Sequence, residues 1–193
     1  MEIDIYDFDK TIVPFDSGTL YLLFCMVHYP WCILFLPVIA VGFILMLIGV
    51  LHFTQFKKIC FMFFPLVPKK KSVKKFWDKY DKYVHQWYKD ERNRFSVVIS
   101  ASPDFLLAEI NDRIHFDKLI CTRHNYKTGA IIGENCRNEE KVRRLYEEYD
   151  KNEIKVIDVY SDSLKHDMPI FRLANGHCYH IIDGERNMIT VER

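Results

Sequence analysis

The sequence predicts an α/β fold in which a mostly parallel β-sheet is flanked by helices on both faces. Short strand-like runs at 2–6, 95–100, 116–121 and 154–160 alternate with helical segments, the pattern of a parallel sheet with helical crossovers. Acidic or hydroxyl residues follow several of these strands, where open α/β sheets place their chemistry. A long apolar and then basic segment, residues 17–94, interrupts the alternation after the first strand and is predicted to be an insertion.

The other elements follow from local patterns. Residues 2–6 alternate apolar and polar and end in an acidic turn, and the apolar run 95–100 breaks at Ala101-Ser102-Pro103. Further helices are predicted at 104–110, 138–149 and 167–173, a small hairpin at 127–132, and late strands at 177–182 and 188–192.

Composition excludes several classes of protein. The 193-residue chain has a formal net charge of +1, so its overall charge gives no reason to expect a nucleic-acid partner. None of its 6 cysteines forms a CxxC pair, which favours reduced cytosolic thiols over a disulfide framework or a zinc site. The N-terminus opens with acidic residues, unlike a cleavable signal peptide.

The insertion has an apolar half and a basic half. Residues 17–56 contain no Asp, Glu, Lys or Arg, and a helix over the apolar residues 31–51 would reach roughly 30 Å, the thickness of a bilayer core. Residues 57–94 carry 12 basic and 4 acidic residues, with aromatic residues between them at helical spacing. This pattern predicts a basic amphipathic helix.

Two carboxylates follow the first strand, in Asp7-Phe8-Asp9-Lys10-Thr11. With the apolar Phe8 turned away between them, Asp7 and Asp9 can face one site, where one attacks phosphorus and the other moves protons. A solvated acidic turn with an Asp cap fits the same residues.

Phosphate-binding groups are predicted at two further places. The Ser100 hydroxyl and the backbone amides of Ala101 and Ser102 can hold phosphoryl oxygens, although an ordinary turn or helix cap fits them too. Lys141 lies near the start of a predicted helix, where the helix dipole disfavours a cation. A phosphate-facing role would explain its position, and one more surface lysine is the alternative.

The strand at 154–160 is followed by a segment with two acids, Asp162 and Asp167. Two carboxylates at a strand terminus form a hard-oxygen site that suits Mg²⁺. A loop rich in capping residues, such as Ser163, is the alternative interpretation.

Taken together and in this order, the motifs resemble the haloacid dehalogenase-like (HAD) phosphohydrolase superfamily, in its phosphoserine-phosphatase-like subgroup. The resemblance lies in DFDKT, Ser100 of VVISAS, Lys141 and SDSLKHD, and covers most of the chain outside 17–94. It implies a HAD-type Rossmann-like core formed by 1–16 and 95–193. Residues 17–94 would be the helical cap that sets substrate choice.

The same resemblance implies catalytic and phosphate-binding roles. Asp7 would be the nucleophile that forms an aspartyl-phosphate, and Asp9 the general acid and base. Ser100, Ala101 and Lys141 would bind phosphate.

It also implies a Mg²⁺ site, which Asp162 would complete with the Asp7 carboxylate and the Asp9 main-chain carbonyl. Thr11, Ser163 and Asp167 would support it. Asp162 and Asp167 stand five residues apart, whereas close relatives usually space these acids four apart.

The composition of the cap indicates that the protein is associated with a membrane. The motifs before and after the cap must share one site, so a single membrane crossing is excluded. Two crossings need roughly 40 apolar residues, which 17–56 barely provides. We expect a re-entrant or monotopic hairpin at 17–56, turning between Pro30 and Pro37, with the catalytic domain on the cytoplasmic face. The lysines at 69–71 would meet the anionic membrane surface. A buried helical pair in a soluble cap is the alternative.

A membrane-embedded cap beside a phosphatase site implies a phosphorylated lipid as substrate. The layout resembles the C-type phosphatidylglycerophosphate phosphatases of the same subgroup, which share the early apolar insertion and a motif seen here as Tyr160-Ser161-Asp162-Ser163. That resemblance implies conversion of phosphatidylglycerophosphate to phosphatidylglycerol, with the lysines at 69–71 attracting the headgroup. Trp31, Trp77 and Trp87 are candidate interface anchors.

Two alternatives stay open. One is a phosphatase of a small soluble phosphomonoester such as phosphoserine, whose cap should offer polar groups that 17–56 lacks. The other is a non-catalytic membrane-binding module with a HAD-like fold. Arg123 and His124, after the third strand, are further candidates to reach the site.

Overall fold

The structure is a computed structural model that describes residues 1–90 and 92–192. Glu91, one of the acidic residues counted above, and Arg193 lie outside the described residues. The strands are β1 (Glu2–Tyr6), β2 (Phe95–Pro103), β3 (Lys118–Thr122), β4 (Lys155–Ser161), β5 (Cys178–Ile182) and β6 (Glu185–Ile189). The helices are α1 (Ser17–His28), α2 (Leu36–Leu47), α3 (Phe53–Cys60), α4 (Lys69–Tyr80), α5 (Gln86–Asp90), α6 (Asp104–Ile114), α7 (Glu139–Glu148) and α8 (Leu164–Phe171).

The strands form one six-stranded sheet in the order β3-β2-β1-β4-β5-β6. All neighbouring pairs are parallel except β5 and β6, which are antiparallel. The predicted α/β fold is therefore confirmed. Because β1 lies between β2 and β4, the carboxyl ends of these three strands meet at one place, where open α/β sheets bind ligands.

Each face of the sheet is covered, as the apolar strand sequences require. Ile5 and Val97 belong to the cluster that packs beneath α7 and α8, whereas Tyr6 and Val98 belong to the cluster shared with the inserted segment. Successive residues of a strand point to opposite faces, so one short strand contributes to both clusters.

The prediction of one basic amphipathic helix over 57–94 is wrong. The chain leaves α3 at Cys60, makes a 3₁₀ turn at Phe64–Leu66, and starts α4 only after Pro68. Proline lacks the N–H that a continuous helix needs, and it also restricts the residue before it. α4 has the predicted amphipathic character, since Phe76 and Trp77 are buried while most of its lysines are exposed.

The predicted turn between Pro30 and Pro37 is also misplaced. The chain runs through a 3₁₀ helix at Pro30–Phe35 directly into α2, and it reverses at residues 48–52. α2 therefore pairs with α3, with the Phe43 and Phe56 ring centroids 5.7 Å apart. A Cβ on Gly42 would lie 2.9 Å from Ile59, so glycine permits this close approach.

Smaller differences concern the ends of elements and two tryptophans. The predicted hairpin at 127–132 is a turn closed by a single bridge between His124 and Ile131, and the last strand begins at Glu185 instead of 188. Trp77 is fully buried, and the Trp87 indole donates a hydrogen bond to the Gly184 carbonyl. Neither is therefore placed as an interface anchor.

His124 is part of the contact between the inserted segment and the core. Its ring lies edge-on to Phe61 and Phe105, with centroids 5.4 and 5.5 Å away. Its Nδ1 donates to the Thr122 carbonyl oxygen at 3.0 Å. Burial lowers the pKa of His124 to about 4, so the folded protein keeps the ring neutral.

This histidine should make the protein less stable in mild acid. The unfolded chain protonates His124 near pH 6.5 and the folded protein only near 4, so the unfolded state binds more protons between these values. We expect this residue to cost about 2 kcal/mol of unfolding free energy at pH 5 relative to pH 7. Urea unfolding at both pH values should show a smaller pH effect in His124→Phe than in wild type. An equal effect in both proteins would contradict this expectation.

Candidate active site

The sequence motifs converge on one pocket of about 410 Å³ at the carboxyl ends of β1, β2 and β4. The predicted site residues that line it are Asp7, Asp9, Ser100, Ala101, Lys141, Asp162, Ser163 and Asp167. The remaining predicted site residue, Thr11, is fully buried behind them. Segments far apart in the chain therefore share one cleft.

A buried ion triad forms the floor of the pocket. The Lys141 ammonium donates to Asp7 Oδ1 at 2.6 Å and to Asp167 Oδ2 at 2.8 Å. The Ser161 hydroxyl donates to the same Asp167 oxygen at 2.5 Å. Burial disfavours the charged amine, but the two carboxylates outweigh it and raise the pKa of Lys141. Lys141 is thus a fixed positive charge, although its direct partners here are carboxylates.

The start of α7 positions this lysine. Asn138 precedes α7 with φ 53° and ψ −132°, a backbone conformation that favours glycine, and its carbonyl accepts from the Lys141 N–H at 3.1 Å. Its side-chain oxygen lies 3.0 Å from His166 Nδ1. The strained residue therefore links the first turn of α7 to α8.

Asp7 continues β1 by one residue, since its N–H donates to the Tyr160 carbonyl at 2.9 Å. Burial raises the pKa of Asp7 well above its ordinary value, and the Lys141 ammonium acts against that shift. An anionic Asp7 at the floor of the pocket therefore depends on nearby cations.

Asp9 is held from two sides. Its Oδ1 accepts from the Ser17 backbone N–H at 2.9 Å, and its Oδ2 accepts from the Ser102 hydroxyl at 2.5 Å. Burial, reinforced by the nearby Asp16 carboxylate, raises the pKa of Asp9 to about 6. A carboxyl group with that pKa can both give and take a proton near neutral pH.

Thr11 positions the last motif. Its Oγ1 accepts from the Asp162 backbone N–H at 2.9 Å, which ties the end of β4 to the turn after β1. The Asp162 carbonyl accepts from His180 Nε2 at 2.9 Å, and Ser163 caps α8 through the His166 N–H. Asp162 is therefore held through its backbone N–H and carbonyl, at a position that lines the pocket.

A register shift shapes the end of β2. Its pairing with β3 shifts between Ser100 and Pro103, so the two intervening residues leave the regular ladder beside the pocket. The Ser100 hydroxyl is buried and accepts from the Ser102 N–H at 3.1 Å. The Ala101 carbonyl accepts from Lys57 and, at 2.7 Å, from the Thr122 hydroxyl.

The profile of the haloacid dehalogenase-like hydrolase family matches residues 5–172, which is most of the chain. The chain belongs to this family. The resemblance carried by the four motifs is thereby confirmed. The finer resemblance to the phosphatidylglycerophosphate phosphatases stays a prediction.

Solved structures share the fold of this HAD-like hydrolase. A protein of unknown function from Bordetella pertussis Tohama I has a TM-score of 0.71 at 18% identity, covering 88% of this chain and 85% of that one. A phosphoserine phosphohydrolase-like protein from Francisella tularensis subsp. tularensis SCHU S4 has a TM-score of 0.59 at 17% identity, covering 96% and 90%.

A substrate-bound phosphoserine phosphatase has a TM-score of 0.58 at 18% identity, covering 90% of this chain and 82% of that one. At these identities the similarity concerns the fold alone. No curated protein sequence matches this chain significantly.

The pocket of this HAD-like hydrolase also contains residues that sequence reasoning missed. Asp16, Lys57 and Arg137 line it together with apolar residues of α1 and α3. Asp16 and Lys57 stand immediately outside the uncharged stretch 17–56, whose lack of polar groups was the reason to disfavour a small polar substrate. The i, i+3, i+4, i+7 spacing of Phe53, Phe56, Lys57 and Cys60 places them on one face of a helix, and this pattern could have indicated that they share a surface.

Other candidates lie elsewhere. Among the described residues, those that line the pocket include neither Arg123 nor His124, nor the lysines at 69–71. The Lys69 ammonium instead donates to the Lys127 carbonyl at 3.1 Å. The lysines at 69–71 therefore have no contact with the catalytic pocket.

The Thr11 hydroxyl should be needed to hold Asp162 in this HAD-like hydrolase. Thr11→Val keeps the shape but removes the acceptor of the Asp162 N–H, so it should cost about 1–2 kcal/mol of unfolding free energy. We expect the Asp162 amide to exchange with solvent at least roughly tenfold faster than in Thr11→Ser, measured by NMR hydrogen exchange. Equal exchange in both variants would show that the hydroxyl does not hold this loop.

Proposed function

We propose that this HAD-like hydrolase is a phosphatase that forms an aspartyl-phosphate on Asp7. The observation that carries the proposal is the convergence of Asp7, Asp9, Lys141 and Asp162 in one pocket. Two carboxylates with different environments suit two roles, a nucleophile beside a fixed cation and a proton carrier with a raised pKa.

In the first step, an Asp7 carboxylate oxygen attacks phosphorus and the bond to the substrate oxygen breaks. Asp9 gives its proton to that leaving oxygen. In the second step, Asp9 takes a proton from water, whose oxygen attacks phosphorus and releases phosphate and free Asp7. Lys141 offsets negative charge on the nucleophile throughout, as phosphoryl transfer requires.

The donor set fits a magnesium ion. Asp7 and Asp162 offer carboxylates and Asp9 a main-chain carbonyl, and Mg²⁺ accepts a few such oxygens together with water. Within residues 1–90 and 92–192 no three acidic, His or Cys side chains form a ready-made metal cluster, so water would supply the remaining ligands. Burial raises the pKa of both Asp7 and Asp162, and a bound cation would favour their charged forms. When bound, the ion would neutralise charge on the phosphoryl oxygens.

Asp7→Asn tests the nucleophile. We expect phosphomonoester hydrolysis in Mg²⁺ to fall by at least roughly a thousandfold, because an amide cannot form the phosphoenzyme. Wild type quenched in acid should carry a hydroxylamine-sensitive phosphoryl group that the variant lacks. Asp150→Asn, at an exposed acid, is the matched control. Retained activity in folded Asp7→Asn would remove Asp7 from this role.

We further propose that the substrate is a phosphorylated membrane lipid, with phosphatidylglycerophosphate as the leading candidate. Of the 12 residues of α2 only Gly42 is buried, and Leu34 (78% exposed) and Val27 of α1 (75% exposed) are further exposed apolar residues of the insertion. Pro30–Leu47 is also long and apolar enough to cross a membrane. An exposed apolar surface of this kind indicates a binding partner. Because this surface carries no charged residue, a lipid membrane is the partner that suits it best.

The geometry favours a surface attachment over a crossing. A crossing by Pro30–Leu47 would need a second crossing to bring the chain back to the shared pocket. α3, which follows the reversal, has 8 residues and is ~12 Å long, against a bilayer core of about 30 Å. α3 also exposes polar residues such as Gln55 and Lys58. We therefore place the α2–α3 pair in one leaflet, with α3 between the lipid and the catalytic pocket. Phe53 and Phe56 would provide an apolar wall from that leaflet to the site.

Membrane binding should depend on this apolar surface. Leu34→Glu and Val41→Glu together should reduce flotation with liposomes containing anionic lipids by at least roughly fivefold, since a charge is costly in the membrane. Met188→Glu, at an exposed apolar residue of β6, is the control and should float like wild type. Wild type that stays in the soluble fraction would favour the soluble phosphomonoester instead.

A further inference from the structure

Lys57 is a cation from the inserted segment that reaches the catalytic pocket without an anionic partner. Its ammonium donates to the Ala101 carbonyl and, at 3.1 Å, to Asn135 Oδ1. Both acceptors are neutral. None of the ion pairs among the described residues includes Lys57. Asp9 and Asp16 line the same pocket and favour its charge without pairing directly with it.

The neutral acceptors are themselves held in place. The Thr122 hydroxyl lies 2.7 Å from the Ala101 carbonyl and 2.8 Å from Asn135 Oδ1, and Asn135 is buried. This arrangement fixes two of the three N–H donors of the Lys57 ammonium. The third donor has no hydrogen-bond partner in the described part of the chain, and no carboxylate pairs directly with the ammonium.

A second cation lines the same pocket. The Arg137 guanidinium stacks over the Phe53 ring, with its carbon 4.7 Å from the ring centroid. None of the ion pairs found within residues 1–90 and 92–192 includes Arg137. Stacking on an aromatic ring holds the guanidinium but leaves its donors available to an anion.

Lys141, a buried basic residue of the pocket, differs from the partly buried Lys57 and Arg137. Lys141 is shared by Asp7 and Asp167, so its charge is already balanced. Keeping a charge away from water is costly unless an opposite charge joins it. Within the described residues, four lysines or arginines therefore line the pocket. Lys141 is paired with carboxylates and Lys10 is exposed to solvent, whereas Lys57 and Arg137 are held by neutral groups.

We propose that Lys57 and Arg137 form a subsite for a second anionic group of the substrate, separate from the phosphomonoester that Asp7 attacks. This inference rests on the proposed phosphatase function and narrows it to phosphomonoesters that carry another negative charge. A phosphodiester in a lipid headgroup and a carboxylate in a small soluble substrate share this chemistry. The apolar neighbours Phe53 and Phe56 suit the phosphodiester better.

Two matched pairs of substrates test the subsite. Dioctanoyl phosphatidylglycerophosphate has the extra phosphodiester, and dioctanoyl phosphatidic acid in the same micelles lacks it. Phosphoserine has an extra carboxylate, and phosphoethanolamine lacks it. The variants are Lys57→Met and Arg137→Met, with Lys58→Met as a control at the neighbouring exposed lysine.

For one of the two pairs, we expect each subsite variant to lower kcat/KM for the substrate with the extra anion by about tenfold or more relative to kcat/KM for its matched partner. The loss should come mainly through KM, as for a lost charge-assisted hydrogen bond. Lys57→Arg should restore part of the ratio, and Lys58→Met should leave it unchanged. The pair that responds identifies the source of the anion. Equal losses on both members of each pair would show that Lys57 only latches the cap, and no loss would also overturn the proposal.

Failure of the proposed function gives a different result. Wild type that hydrolyses none of the four phosphomonoesters in Mg²⁺ would refute the phosphatase. Titration calorimetry of phosphatidylglycerophosphate micelles and of phosphoserine would then still test the subsite. Weaker binding by Lys57→Met would support it, and unchanged binding would reject it.

Discussion

The ion triad of Asp7, Lys141 and Asp167 is the constraint on which the site depends. It joins the end of β1, the first turn of α7 and the first half of α8, and all three side chains are buried. Removal of one member of such a buried group leaves an unpaired charge away from water, which is strongly destabilising. The triad therefore couples the integrity of the fold to the charge state of Asp7, the proposed nucleophile. It also explains why Lys141 stands where the helix dipole would disfavour it.

A second connection joins the chemistry to the inserted segment. Asp9 accepts from the Ser17 backbone at the start of α1 and from Ser102 at the end of β2, so the proposed proton carrier is held between the insertion and the core. α1 and α3 then form apolar walls of the pocket, while α2 covers α3 from outside. One helical layer thus separates the reacting groups from the exposed apolar surface. This layered order is what makes a lipid phosphate a chemically reasonable substrate.

Local patterns predicted the core well because each of its signals is short in sequence. The strands at 2–6, 95–100 and 154–160 appear within one or a few residues of their predicted ends, and Asp7, Ser100 and Asp162 lie where strand ends should bring them. The insertion was predicted poorly in detail. Its composition is apolar nearly everywhere, so periodicity could not show which helix pairs with which, and the effect of Pro65 and Pro68 on the predicted long helix was overlooked.

The sequence by itself determined the proposed catalytic groups and their order, because the residue type alone sets the chemistry of a carboxylate or a lysine at the end of a strand or helix. Only the tertiary structure decided which groups meet. Lys141 contacts Asp7 across 134 residues, and Lys57 reaches Ala101 across 44, through the packing of helices on the sheet. Such contacts depend on side-chain volumes and helix directions throughout the core, which no local spacing contains.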